Sequence, residues 1–264
     1  MSDAIVDIVV SLAQMQVEVG QPQANLETVR AFATEARARG THLLLLPELW
    51  PVGYDLAHWR QHAASLGEGL FAEMGRVAQE SRMWVGGTLL EAEGGRAYNT
   101  FALFDAAGDL RAAYRKVHLF RLMGEDRWLA PGDRFVTADL GWGRAGLATC
   151  YDLRFPEMFR ALGAQGATVL LVPAAWPEAR GKHWSLLLRA RAVENQCFML
   201  GCNCTGRTKD LLFAGLSAVI DPWGEACAEA GSEPGLLTAT IALGLVDQVR
   251  AALPALTDRR PDLY

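Results

Sequence analysis

The chain has 264 residues, 51% of them hydrophobic and 21% charged, enough for one large domain that buries about three quarters of its unfolded surface. A formal net charge of −5, with both signs interspersed and no basic cluster, excludes a protein that tracks nucleic-acid phosphates. No apolar segment reaches the roughly 18 residues that a membrane span needs, which excludes a membrane partner of that kind.

Residues 5–12, β-branched and apolar, predict a strand. Asn25 is then expected to cap a helix over 26–39 that Gly40 ends, with Arg30, Arg37 and Arg39 on a solvated face beside Glu27 and Glu35. Residues 42–46 predict a buried strand stopping at Pro47-Glu48. A helix over 69–82 and a strand over 84–90 follow, and Glu93-Gly94-Gly95 turns the chain into a strand over 99–104. Ala107-Gly108-Asp109 turns it again into 110–116, before a long loop over 117–134.

Two strands, 136–140 and 145–150, flank a turn at 141–144. Helices at 156–165 and 182–196 then alternate with strands at 168–172 and 198–202. The final strands, 214–220 and 236–241, lie either side of an Asp221-Pro222-Trp223-Gly224 turn, and a helix near 245–253 leads into a polar tail. About a dozen short strands with four or five helices, mixing hairpins and crossovers, predict an α/β protein of two sheets with helices outside. No linker or charge block divides the chain, so a single domain over 1–264 is expected. Residues 1–10 lack the features of a signal peptide and the five cysteines form no disulfide framework, so a cytoplasmic protein with reduced thiols is expected.

Three strand ends carry chemistry. The apolar run 145–148 leads straight to Cys150, followed at once by Asp152, Arg154 and Glu157. Glu48 ends the run Leu43-Leu44-Leu45-Leu46-Pro47, and Lys116 stands at the exit of 110–116. Carboxyl ends of buried strands are where α/β proteins bind ligands, so a thiol, a carboxylate and an ammonium delivered there suggest a reactive site. Each also has an ordinary reading, as a core cysteine, a solvated carboxylate and an exposed lysine.

Other patterns are weaker. Gly141-Trp142-Gly143-Arg144-Ala145-Gly146 spells G-x-G-x-x-G but precedes a strand rather than a helix, which favours a hairpin turn. Cys197, Cys202 and Cys204 fit no common zinc spacing, and Cys197 and Cys202 read as core residues. His118 and His183 leave a Cys–His peptidase or acyltransferase open, and a non-catalytic interaction protein is a third possibility. Arg154 suits bidentate capture of a substrate carboxylate, or an internal ion pair with Asp152 or Glu157.

Glu48 in Leu-Pro-Glu-Leu-Trp, Lys116 in Tyr-Arg-Lys-Val-His-Leu-Phe and Cys150 in Cys-Tyr-Asp-Leu-Arg-Phe-Pro-Glu, separated by 68 and 34 residues, resemble the three signatures of the nitrilase superfamily of carbon–nitrogen hydrolases. The likeness extends through 221–224 to Asp258-Arg259-Arg260-Pro261-Asp262-Leu263-Tyr264. It implies a four-layer α-β-β-α sandwich, a homodimer or higher oligomer with the tail from about 245 at a subunit contact, and a Cys-Glu-Lys triad with no cofactor or metal. It also implies a fourth catalytic residue, Glu125, ahead of Leu129-Ala130-Pro131-Gly132.

The residues after Cys150 match neither the Cys-Trp-Glu of true nitrilases nor the Cys-Asn-Asp-Arg-Arg of N-carbamoyl amino acid hydrolases. They look like the ω-amidase branch, which hydrolyses 2-oxoglutaramate and 2-oxosuccinamate. On that resemblance a small amide is the expected partner, the backbone N–H of Tyr151 joins Lys116 in stabilising the oxyanion, and Arg154, Tyr54 and Trp176 line the substrate pocket.

Overall fold

The computed structural model describes residues 7–208 and 211–263. In chain order the first half runs β1 (Asp7–Gln14), α1 (Pro22–Ala38), β2 (Leu43–Leu45), a helical turn α2 (Trp59–His62), α3 (Gly69–Ser81), β3 (Trp84–Glu93), β4 (Arg96–Phe104) and β5 (Leu110–Arg115). A helical turn α4 (Glu125–Trp128), β6 (Val136–Asp139), β7 (Arg144–Leu147), α5 (Pro156–Ala164), β8 (Val169–Ala174), α6 (Gly181–Asn195) and β9 (Phe198–Asn203) follow. The chain closes with β10 (Thr205–Thr208), β11 (Leu211–Ala214), β12 (Ala218–Ile220), β13 (Ala226–Glu229), β14 (Gly235–Ala242) and α7 (Gly244–Ala252).

Two six-stranded sheets share one plan, with orders β14-β1-β2-β3-β4-β5 and β13-β12-β9-β8-β7-β6. Each holds three parallel strands, β1-β2-β3 in one and β7-β8-β9 in the other, flanked by antiparallel neighbours. The leucine run of β2 explains the layering. Leu43 and Leu45 join Val10, Leu12, Phe101, Leu103 and strands of the second sheet in one core, while Leu44 faces Val29 and Ala33 of α1 and Met74 and Val77 of α3. A strand buried on both faces needs no alternation, and each such leucine contributes about 1.5–3 kcal/mol by leaving water. On the far side Phe159 and Leu162 of α5 and Trp184 and Leu188 of α6 cover the second sheet. The four layers are therefore helix, sheet, sheet, helix, as expected. Among the described residues no helix is long and apolar enough to cross a membrane.

Several local expectations need correction. Helix α1 starts at Pro22, whose locked φ suits the first helical position, and not after Asn25. Asn25 lies inside it, buried, where its side chain accepts from the Glu18 N–H and donates to the Glu18 and Pro51 carbonyls. The strand expected over 214–220 is two strands, because Gly215 and Leu216 adopt φ of +62° and +54° and swing the chain from β11 to β12. The β10–β11 hairpin and β13 were not foreseen, and the loop over 117–134 contains α4. The glycine-rich stretch at 141–146 is the expected hairpin between β6 and β7, with the Leu140 N–H donating to Gly143 O at 2.9 Å. Residues 5 and 6 of the first predicted strand, and Tyr264, lie outside the described residues.

Candidate active site

The first sheet delivers Glu48, three residues past β2, and Lys116, directly after β5. Both side chains are fully buried, as is that of Glu125 in α4. Lys116 Nζ donates to Glu48 Oε1 and to Glu125 Oε1, each at 2.7 Å. Backbone pairing holds the lysine: its N–H donates to Asn99 O, and its carbonyl accepts from the Gly132 N–H, both at 2.9 Å. Position 132 admits only glycine, since a Cβ there would lie 2.1 Å from the Arg115 carbonyl oxygen. The Leu-Ala-Pro-Gly segment is thus a strap that folds the loop carrying Glu125 back over Lys116.

Glu48 spans the gap between sheets. Its Oε1 also accepts from Asn99 Nδ2 of β4 at 2.8 Å, and its Oε2 accepts from the Ala175 N–H, at the exit of β8, at 3.0 Å. Glu125 accepts from Tyr54 Oη at 2.8 Å through Oε1 and from the Phe120 N–H at 2.7 Å through Oε2. Burying such charges is tolerable only when each is bonded this fully. Burial alone would pull the Lys116 ammonium down, but Glu125 and Glu48 outweigh it and hold the lysine well above its ordinary value. Burial raises Glu125 despite Lys116, and it keeps the Tyr54 phenol protonated with help from the two carboxylates.

Cys150 comes from the second sheet. It opens a single 3-10 turn, Cys150–Arg154, with φ of +46°, a conformation L residues rarely adopt. Leu49, just after Glu48, is likewise at φ +48°, its N–H bonded to Thr88 Oγ1 at 2.7 Å. Burial, then Glu48, push the Cys150 thiol well above its usual value, and Lys116 only partly opposes them. Lys116 does lower the thiol, but burial and Glu48 outweigh it, so at rest the sulfur keeps its proton.

The turn is held by residues that sequence reading did not single out. Asp152, fully buried, accepts from the Thr149 N–H at 2.8 Å, Tyr114 Oη at 2.7 Å, and both the His118 N–H (3.1 Å) and ring Nδ1 (2.7 Å). It therefore ties the cysteine turn to the segment beside Lys116. Arg191 of α6 donates through Nε and Nη2 to Leu153 O at 3.1 and 2.9 Å. His118 stacks on Phe155, with ring centres 3.8 Å apart, and His183 Nδ1 lies 3.4 Å from Arg154 Nη2, so each histidine is engaged away from the thiol. Cys197 and Cys202 are buried core residues, as expected, and Cys204 is buried beside the site.

Two spaces open onto the cluster. A cavity of about 310 Å³ is lined by Glu48, Tyr54, Met123, Cys204, Thr208 and Phe213 among others. A gap of about 10 Å³, room for one water, lies against Cys150, Tyr151, Arg154 and Trp176. Ala175 and Arg180 line both. A larger hollow of about 630 Å³ runs outside, past His118, Arg121 and Phe155, but touches none of Glu48, Lys116 or Cys150. Arg154 pairs with neither Asp152 nor Glu157; its Cζ sits 4.7 Å from the Trp176 ring centre. The Trp176 backbone is fixed in turn by Asn203, whose Oδ1 accepts from its N–H at 2.6 Å and whose Nδ2 donates to its carbonyl at 3.2 Å.

Fold and site together define a class: an α-β-β-α sandwich whose facing sheets carry a buried Glu-Lys-Glu cluster and a strained cysteine turn to one place. The family model for carbon-nitrogen hydrolase matches residues 9–251, and the chain belongs to that family. It is 39% identical over 256 residues to the 2-oxoglutaramate amidase of Bacillus subtilis (strain 168), covering 97% of this chain and 98% of that one. Among solved structures it is similar to Nit3 of Saccharomyces cerevisiae, a member of branch 10 of the nitrilase superfamily, with a TM-score of 0.91, 30% identity, and coverage of 98% of this chain and 100% of that one. It also resembles a mutant of the amidase from Nesterenkonia sp. AN1, in which acrylamide has added to the active-site cysteine, with a TM-score of 0.87, 31% identity, and coverage of 97% and 98%.

Proposed function

We propose that the chain is an ω-amidase that releases ammonia from 2-oxoglutaramate or 2-oxosuccinamate through a thioester on Cys150. The observation that carries this reading is the convergence of Glu48, Lys116 and Glu125 at 2.7 Å contacts beside a cavity that Glu48 lines. The full-length likeness to the B. subtilis enzyme supports the substrate.

A thiol that rests protonated needs a base at the moment of attack. Glu48 takes the Cys150 proton as sulfur bonds to the amide carbon, leaving Oε1 held by Lys116 and Asn99 while Oε2 keeps one lone pair beyond its bond from Ala175. The carbonyl electrons move to oxygen, where Lys116 and the Tyr151 N–H meet the developing charge. Collapse breaks the C–N bond, and the proton from Glu48 goes to the departing ammonia. Glu48 then deprotonates water for attack on the thioester, and returns that proton to the sulfur as the acid leaves. Glu125, tied to Tyr54 and the Phe120 N–H, keeps Lys116 positioned and charged. Tyr54, Arg154 and Trp176 form the substrate pocket walls in this reading.

We also read the chain as a single domain, cytoplasmic, and at least a homodimer with the tail from about 245 in a contact. Leu186 (66% exposed) and Val193 (49% exposed) lie two turns apart on α6, and Trp223 is 50% exposed, apolar surface suited to a second copy. Sedimentation velocity of the purified chain would read its mass directly.

The deciding experiment is ammonia release across 2-oxoglutaramate, 2-oxosuccinamate, glutamine, simple nitriles and N-carbamoyl amino acids. The 2-oxo acid amides should give the highest kcat/KM. A preference for nitriles or N-carbamoyl compounds would refute the substrate.

A further inference from the structure

Among the described residues, Arg180 is the one charged side chain that lines both the cavity beside Glu48 and the gap beside Cys150. It ends a short 3-10 turn, Glu178–Arg180, that leads into α6. Its backbone is well held: the N–H donates to Pro177 O at 3.0 Å, and the carbonyl accepts from Trp176 Nε1 at 2.8 Å. The guanidinium has no carboxylate partner among the described residues; its Cζ lies 5.5 Å from the Phe120 ring centre. It is half-buried, so it has lost part of its hydration without gaining an anion.

Arg154 is differently placed. It reaches only the gap at the thiol, stacks on Trp176 and has Nη2 beside His183. The carboxylates Glu48 and Glu125 are both committed to Lys116. A substrate whose amide lies at Cys150 and whose other end extends into the 310 Å³ cavity therefore passes Arg180 on the way. A planar fork with an open face there matches a carboxylate in two parallel hydrogen bonds.

We infer that Arg180 anchors the carboxylate of the substrate at the end remote from the scissile amide, and so selects amides of dicarboxylic acids over neutral amides. This deepens the ω-amidase reading and rests on it for the substrate. Arg180 is a specificity residue in this scheme: it touches substrate but moves no proton and no electron pair.

The test compares wild type with Arg180→Gln and Arg180→Lys on 2-oxoglutaramate, succinamate and the neutral amide butyramide, by ammonia release. A charge-assisted pair lost from a partly desolvated site lowers the ratio of kcat/KM for 2-oxoglutaramate over butyramide by about 10- to 100-fold in Arg180→Gln. The loss falls mainly on KM, and Arg180→Lys restores part of it. Equal loss on charged and neutral amides, or no loss on either, overturns the role of Arg180. If wild type turns over succinamate but not 2-oxoglutaramate, the substrate assignment fails alone, and the same ratio taken with succinamate still decides Arg180. If wild type favours butyramide throughout, both fall.

Discussion

At the end of β7 the chain breaks sharply, with Cys150 at φ +46°, whereas β9 runs in extended register through Cys202 to Asn203. Both thiols are buried, and burial pushes both above their usual value. Their neighbours differ. Cys202 donates to the Ala13 carbonyl at 3.5 Å and lies in the hydrocarbon core, while Cys150 feels both Glu48 and Lys116 and has a gap in front of it. Even Cys204, which feels Glu48, has no counterweight from Lys116. Equal burial thus leaves two thiols in different surroundings: only Cys150 shares its own with a carboxylate, an ammonium and an opening.

Removing each sulfur in turn should separate the two thiols most widely. Cys150→Ala should cut ammonia release by roughly 10⁴-fold or more, since no group is left to form the thioester. Cys202→Ala should instead cost about 1–2 kcal/mol of stability with kcat close to wild type. Swapped outcomes would dismiss Cys150 as nucleophile.

Next in size, Glu48→Gln removes the proton acceptor but keeps the shape, and should lower kcat by about 100- to 10000-fold. Iodoacetamide labelling of Cys150 should slow in parallel; labelling at the wild-type rate would mean that another group takes the proton.

Asp152→Asn sharpens the role of the turn. An amide cannot accept all four donors that converge there, and leaving one buried donor unpaired costs about 1–3 kcal/mol. Calorimetry should show Tm falling by about 3–10 °C. An unchanged Tm would mean the turn holds itself.

The smallest effect is alkaline. Burial pushes Cys197 up to about 12. Below about pH 7.5, a full unit under the ordinary thiol value, this thiol is neutral in both folded and unfolded chains and changes nothing. Between about 9 and 12 the unfolded chain releases the proton and the folded one keeps it, so stability falls as pH rises. Urea titrations over that range should show a falling midpoint, and Cys197→Ala should flatten the slope. An identical slope would assign the loss to other groups, such as the raised Cys202 and Tyr114.

Glu48, Lys116 and Cys150 were legible because three strand ends where apolar runs meet charge carry them together, in segments that resemble three known signatures. Asn99, Asp152, Arg180 and Arg191 were not. Asn99 sits mid-strand in β4, and its value comes from cross-strand register, which sets its amide against a carboxylate 51 residues earlier. Asp152 reads as one more charge after Cys150 until Tyr114 and His118 are folded against it. The β10–β11 hairpin was missed because its strands are short and polar in part, with no hydrophobic alternation to betray them.

Hydrophobic periodicity and abrupt charge are local properties of a chain, and they suffice to read the layers, the strand ends and the chemical types delivered to them. The protonated thiol, the Asp152 bonds that hold the turn where no histidine meets the sulfur, and the place of Arg180 against both spaces arise from folding. Those facts depend on dielectric surroundings and on distances between residues remote in sequence, which burial and sheet packing create.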